Sequence, residues 1–213
     1  MRFYKNILLL LVFAAPLVTM AQQANYGVRI GVSESFYRGS DFQDTSSFYS
    51  NNIQPTVGLY VNYSVTDLFW IKSEFNYMNR SFNRKDIGGN SLRENYYYID
   101  IHPVTPTIKY KGFQVFAGPA VSLLLTSKKD SLNTTDNSLV SYSDANLYGK
   151  NRYDLGFVCG VEYEYKNVVN IGVRYTHGFT SIFQTPQNAD KNTQWYNHSF
   201  LFTVGYSFIH IKN

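Results

Sequence analysis

The chain has 213 residues, with 19 Lys and Arg against 15 Asp and Glu, and a single cysteine. That length suits one domain, and one cysteine excludes an intramolecular disulfide framework. Charges of both signs are mixed along the loops, as in Lys128-Lys129-Asp130 and Arg84-Lys85-Asp86, so the basic stripe that tracks nucleic acid is missing.

The N-terminus reads as a secretory leader. Arg2 and Lys5 precede an apolar run from Ile7 to Val18, and Thr19-Met20-Ala21 offers small residues at a signal peptidase site. The run is too short for a spanning helix, which needs roughly 20 apolar residues. Residues 1–21 are therefore expected to be a signal peptide and 22–213 one β-barrel domain. Losing Arg2 and Lys5 brings the mature chain closer to neutrality.

Beyond the leader the dominant signal is period two. The first strand, residues 26–37, sets Tyr26, Val28, Ile30 and Val32 against Gly27, Arg29, Gly31, Ser33 and Ser35, and a polar connection over Arg38–Gln54 follows. In the second, Val57, Leu59, Val61, Tyr63 and Val65 oppose Thr56, Gly58, Tyr60, Asn62 and Ser64. Its length matches the roughly 9–11 residues of a tilted membrane strand. A tight turn at Thr66-Asp67 leads to the third strand, with Phe69, Ile71, Phe75 and Tyr77 on one face and Lys72, Glu74, Asn76 and Arg80 on the other. Gly88-Gly89-Asn90 marks the next long connection.

The fourth strand, residues 95–110, changes parity. Tyr97, Ile99 and Ile101 share a face, but Val104, Ile108 and Tyr110 fall on the other, so one extra residue near His102-Pro103 is expected as a β-bulge. A bulge also suits Pro103 and Pro106, which donate no ladder hydrogen bond. After a tight turn at Lys111-Gly112, the fifth strand points Phe113, Val115, Ala117, Val121 and Leu123 outward, with Gln114, Phe116, Gly118 and Ser122 inward. Residues 127–151 carry no apolar period and read as the longest loop. In the sixth strand, residues 153–165, Asp154, Gly156, Val158, Gly160, Glu162 and Glu164 alternate with Tyr and aliphatic residues; Lys166-Asn167 closes it. The seventh opposes Val169, Ile171, Val173 and Tyr175 to Asn170, Gly172, Arg174 and Thr176. A polar loop over residues 179–194 precedes the last strand, where Phe200, Phe202, Val204, Tyr206 and Phe208 face outward.

Eight strands with alternating long and short connections describe an all-β, eight-stranded, antiparallel up-and-down transmembrane barrel. Short turns and both termini belong on the periplasmic side, long loops outside, in the outer membrane of a Gram-negative bacterium. A soluble lipocalin-type barrel has an apolar interior and a wet exterior. Here one face is almost wholly Val, Ile, Leu, Phe and Tyr, and the other carries Gly, Ser, Thr and the charges Arg29, Lys72, Glu74, Asp100, Asp154, Glu162 and Arg174. Those seven are expected to pair inside a narrow lumen as a structural network, and Arg174 with Glu162 or Asp154 in particular. An eight-stranded interior is just wide enough to be filled by side chains, so a plug is preferred to an ion path.

Several segments resemble the PorT-like outer-membrane β-barrel family: Tyr98-Ile99-Asp100-Ile101 before a proline, Gly118-Pro119, Asp154-Leu155-Gly156, Arg174-Tyr175 with Gly178, and Gly205-Tyr206-Ser207-Phe208. The resemblance implies an eight-stranded barrel in the outer membrane of Bacteroidetes-type bacteria, one branch of which is associated with type IX protein secretion. The extra His102 before Pro103 departs from the family pattern.

Chemistry is weakly signalled. His102 and His177 are candidates to meet near the barrel rim, and His198-Ser199 invites comparison with lipid hydrolases, yet neither a metal-ligand cluster nor an acid completing a triad is evident. Cys159 lies on the apolar face, where a lone cysteine acts as a small hydrophobe. Phe48, Tyr49, Tyr142 and Tyr148 either anchor a partner or pack on the rim. The expectation is a monomeric structural or interaction protein without cofactor, metal or catalytic residues, accessory to secretion or envelope assembly. Its partners would be outer-membrane lipid and envelope or secretion proteins met through loops or turns, with no nucleic acid. An enzyme acting on lipid and a narrow pore are the alternatives.

Overall fold

A computed structural model describes residues 23–39, 49–85, 91–132, 139–144, 149–182 and 195–212. The expected leader lies outside these residues, as do Phe48, Tyr148 and the side chains of Tyr49 and Tyr142. Ten strands follow in chain order: β1 Gln23–Gly39, β2 Tyr49–Asn51, β3 Ile53–Ser64, β4 Phe69–Lys85, β5 Ser91–Tyr110, β6 Phe113–Leu132, β7 Leu139–Asp144, β8 Tyr153–Tyr165, β9 Val169–Ser181 and β10 Trp195–Lys212. All pairings are antiparallel. Pairing β1 with β10 closes eight of them into a barrel, while β2 and β7 add to β4 and β6 beyond its rim.

Closure follows from the solvent. Hydrocarbon offers no partner to a free peptide group, so a sheet crossing a membrane must have no edge. Lipid also sorts the side chains. Ile30, Leu59, Val115, Leu155, Ile171 and Phe202 are more than half exposed, and Arg29, Gly58, Gln114, Asp154, Gly172 and Thr203 between them are buried or packed inward. Tight turns at one end rest on left-handed residues, Lys111 and Gly112 in one hairpin, Lys166 and Asn167 in another, as two-residue hairpin turns require.

The expected bulge is present. Across β4, Lys72 faces Thr105 and Glu74 faces His102; across β6, Ile101 faces Val121 and Thr107 faces Phe116. In both pairings β5 holds one residue more than its neighbour, and the buried positions change from even (Tyr98, Asp100, His102) to odd (Thr105, Thr107). The Ser73 hydroxyl donates to the Pro103 carbonyl at 2.6 Å and holds the bulge.

One expectation needs correction. The stretch 127–151 is not wholly loop: β6 continues to Leu132 and β7 pairs back on it. Sheet that stands beyond the lipid loses the apolar outer medium that imprints period two on the spanning strands. Glu34 shares the outward parity of Ile30 and Val32. It sits two positions beyond Val32 towards the long-connection end, in register with Phe200, at the margin of the apolar band.

Close packing inside the barrel needs glycine where a neighbour crosses the backbone. A Cβ at Gly178 would lie 2.4 Å from an Asp154 carboxylate oxygen. We expect Gly178→Ala to lower stability by about 1–3 kcal/mol, read as an earlier urea midpoint in lipid vesicles. Val204→Arg, on the lipid face opposite Ile30, is expected to cost about 2–4 kcal/mol, against roughly 0–1 kcal/mol for Tyr165→Arg beside a turn, in the same titration.

Candidate functional site: ionic layers across the lumen

Strand parity sends charges from five strands to one level of the lumen. Arg29 comes from β1, Lys72 and Glu74 from β4, His102 from β5, Glu162 from β8 and Arg174 from β9, and each is at most 2% exposed. Both arginines bridge both glutamates. Arg29 Nη1 is 2.7 Å from Glu74 Oε1, at an angle poor for a hydrogen bond, and Nη2 is 3.9 Å from Glu162 Oε2. Arg174 Nη2 donates to Glu162 Oε2 at 2.5 Å, and its Nε lies 3.3 Å from Glu74 Oε2. Each glutamate then takes one further partner: Lys72 Nζ donates to Glu162 Oε1 at 3.0 Å, and His102 Nδ1 is 3.1 Å from Glu74 Oε2. Aromatic faces line the ring, with Tyr60 4.5 Å from the Arg29 guanidinium and Phe116 4.6 Å from the Lys72 ammonium.

A second layer lies nearer the long connections. Arg80 Nη2 donates to Asp100 Oδ2 at 2.7 Å and to the Ser122 hydroxyl at 3.0 Å, and Nη1 is 3.7 Å from Asp154 Oδ2. Asp154 also accepts from the Thr180 N–H and the Asn197 side-chain amide, each at 3.2 Å. Tyr37, Met78, Tyr96, Tyr98, Leu124 and Leu201 pack in a further buried cluster within the barrel. At the turn end Lys109 Nζ donates to Glu164 Oε1 at 2.6 Å.

Charge balances across the layers. The middle ring has three permanent cations against two carboxylates, the upper layer one against two, and the turn end one against one. Interior burial of an unmatched charge costs several kcal/mol, so the surplus of one layer offsets the deficit of the next. The seven charges that parity sends inward are all in this assembly. Arg174 pairs with Glu162 rather than Asp154, which Arg80 takes. Arg80, His102, Lys109 and Glu164 complete it. Parity marked Arg80 and Glu164 as inward; His102 shares the inward parity of Asp100 before the bulge, and Lys109 that of Thr107 after it.

The histidines are distributed differently from expectation. His102 does not meet His177: preceding the bulge it points inward to Glu74, whereas His177 is on the outward parity of β9. Consecutive strand residues face opposite sides, so His198 is outward while Ser199 is inside, and the two cannot act as a pair. Instead His177 stands opposite His198 in register, their rings 4.4 Å apart, with the Tyr175 hydroxyl 2.7 Å from His198 Nδ1 and 3.4 Å from His177 Nδ1. Among the described residues no group of three or more His, Cys, Asp or Glu side chains is placed to hold a metal ion.

Solved structures with a similar trace include outer-membrane proteins. Ail of Yersinia pestis, the attachment invasion locus protein, is 13% identical over 89% of this chain and 100% of its own, with a TM-score of 0.48. Neisserial surface protein A is 11% identical over 87% and 99%, with a TM-score of 0.46, and OprG of Pseudomonas aeruginosa 13% over 87% and 94%, with a TM-score of 0.39. No curated protein matches the sequence. The family model described as "Outer membrane protein beta-barrel domain" matches residues 20–184, well over half of the chain. Closed antiparallel topology, an apolar exterior and that match together place the chain in the outer membrane protein beta-barrel domain family: it is an outer-membrane β-barrel protein.

Proposed function

We propose that this barrel is a closed scaffold of the PorT-like kind, acting by its surfaces in secretion or envelope assembly and catalysing no reaction of its own. Its termini and tight turns face the periplasm, and its long connections face outward. The observation that carries the reading is the middle ring: Arg29, Lys72, Glu74, Glu162 and Arg174 reach across the lumen and pair there without access to water. Ions held this way obstruct the axis, and a barrel with its axis obstructed works through what it presents at its rims. The short hairpin turns at one end and long connections at the other support the orientation, because such barrels keep short turns on the periplasmic side.

The ring also predicts its own energetics. Removing one partner leaves a buried charge without its counter-ion, at a cost of about 3–5 kcal/mol. Glu162→Ala leaves three cations facing Glu74 and is expected to show that loss in urea titration. In planar bilayers the wild-type barrel should not conduct above background, whereas the double variant Glu162→Ala/Arg174→Ala should conduct. Wild-type channels would refute the plug. Affinity isolation of the tagged protein from envelopes, with a deletion strain assayed for secreted protein, tests the interaction role: a specific envelope partner and impaired secretion are expected. No partner together with unchanged secretion would refute the role.

A further inference from the structure

Tyr175, His177 and His198 form a polar cluster on the outer face, towards the long-connection end, and none of them belongs to the ionic layers. Tyr175 and His177 are two apart on β9 and so share its outward face, and His198 is the cross-strand partner of His177 on β10. Both imidazoles turn Nδ1 to one phenol oxygen, at 2.7 and 3.4 Å. A phenol proton serves one acceptor at a time, yet here two nitrogens converge on it. His198 is only 3% exposed. Phe36 stacks on its ring at 5.2 Å between centroids, Phe200 lies 5.1 Å from the Tyr175 ring and Phe179 5.1 Å from that of His177.

We propose that Tyr175, His177 and His198 form a surface site for a first-row transition-metal cation of the Cu2+ or Zn2+ class. Metal–ligand bonds of about 2.0–2.2 Å set neighbouring donor atoms roughly 2.8 Å apart in a square-planar site and roughly 3.3 Å apart in a tetrahedral one, and the separations of 2.7 and 3.4 Å between the phenol oxygen and the two nitrogens span those values. Imidazole nitrogen suits these cations. Three protein donors leave a fourth position for water, as in open metal sites. The phenol proton leaves to solvent as the cation takes its place, so binding releases a proton. The aromatic collar of Phe36, Phe179 and Phe200 lowers the local dielectric, which strengthens a cation's attraction to a phenolate.

The test uses the full mature barrel, refolded in detergent with any affinity tag removed, and titrated with CuCl2 and with ZnCl2. One equivalent of Cu2+ is expected, with two-nitrogen hyperfine structure in its electron paramagnetic resonance spectrum and a visible phenolate-to-copper charge-transfer band. His177→Ala and His198→Ala should each weaken binding at least tenfold. Tyr175→Phe should retain copper but lose the band. ZnCl2 should compete with copper for the same equivalent. Heat-modifiable mobility on gels checks that each variant is folded; for any that is not, His177→Asn or His198→Asn carries the comparison. The proposal is overturned if the wild type takes up no stoichiometric copper, if the His177→Asn/His198→Asn pair binds as tightly as wild type, or if the band survives in Tyr175→Phe.

Discussion

Everything in this molecule depends on the intolerance of hydrocarbon for an unpaired peptide group. A strand edge exposed to lipid would leave its N–H and C=O groups without partners, at several kcal/mol each. The seam between β1 and β10, paired from Gln23 against Lys212 to Gly39 against Trp195 with one register shift between Tyr26 and Gly27, removes the edge. Once the cylinder closes, its two surfaces meet different media, and alternate residues of every spanning strand must answer to one or the other. The rows of exposed Val, Ile, Leu, Phe and Tyr outside, and of Arg, Glu, Asn and Ser within, are that single constraint repeated along eight strands.

The interior answers a second requirement. A lumen bounded by eight strands is filled by side chains, and the chain fills it with ions in layers. Most contacts in the middle ring span the cylinder: Lys72 of β4 reaches Glu162 of β8, and Arg174 of β9 reaches Glu74 of β4. Such bonds form only when distant strands have come together in the right register. Burying ions adds less stability than their short distances suggest, because desolvation offsets the Coulomb attraction. Their larger effect is selective, since a slip of one residue would turn each charge from the lumen into lipid.

How much of this was legible beforehand varied with what each residue touches. Strands that separate lipid from lumen announce themselves: β3, β8 and β9 have the alternation and the bounds expected from residues 56–65, 153–165 and 169–176 to within a few positions. Even the bulge in β5 was readable, because an extra residue reverses the parity of everything after it. Beyond the rim the signal vanishes. β7 and the far ends of β5 and β6 are hydrogen-bonded sheet beyond the rim, where no lipid sorts their residues, and their sequence reads as loop. The meeting of His177 with His198 was equally hidden, since it depends on β9 and β10 pairing with Ser181 opposite Tyr196 but His177 opposite His198, an offset that no spacing within either strand encodes.

From the sequence by itself came the class of fold, the eight crossings, the parity of each residue and the list of charges bound for the interior, because lipid and lumen act on each side chain locally and leave a period-two imprint. Which charge pairs with which, that His102 joins Glu74 while Tyr175 joins two histidines on the outer wall, and that sheet continues past the membrane were decided only by the closed barrel. Those contacts join residues as much as 100 positions apart, as Glu74 and Arg174 are, and depend on strand register and shear around the whole cylinder, which are properties of the assembled sheet and of no segment within it.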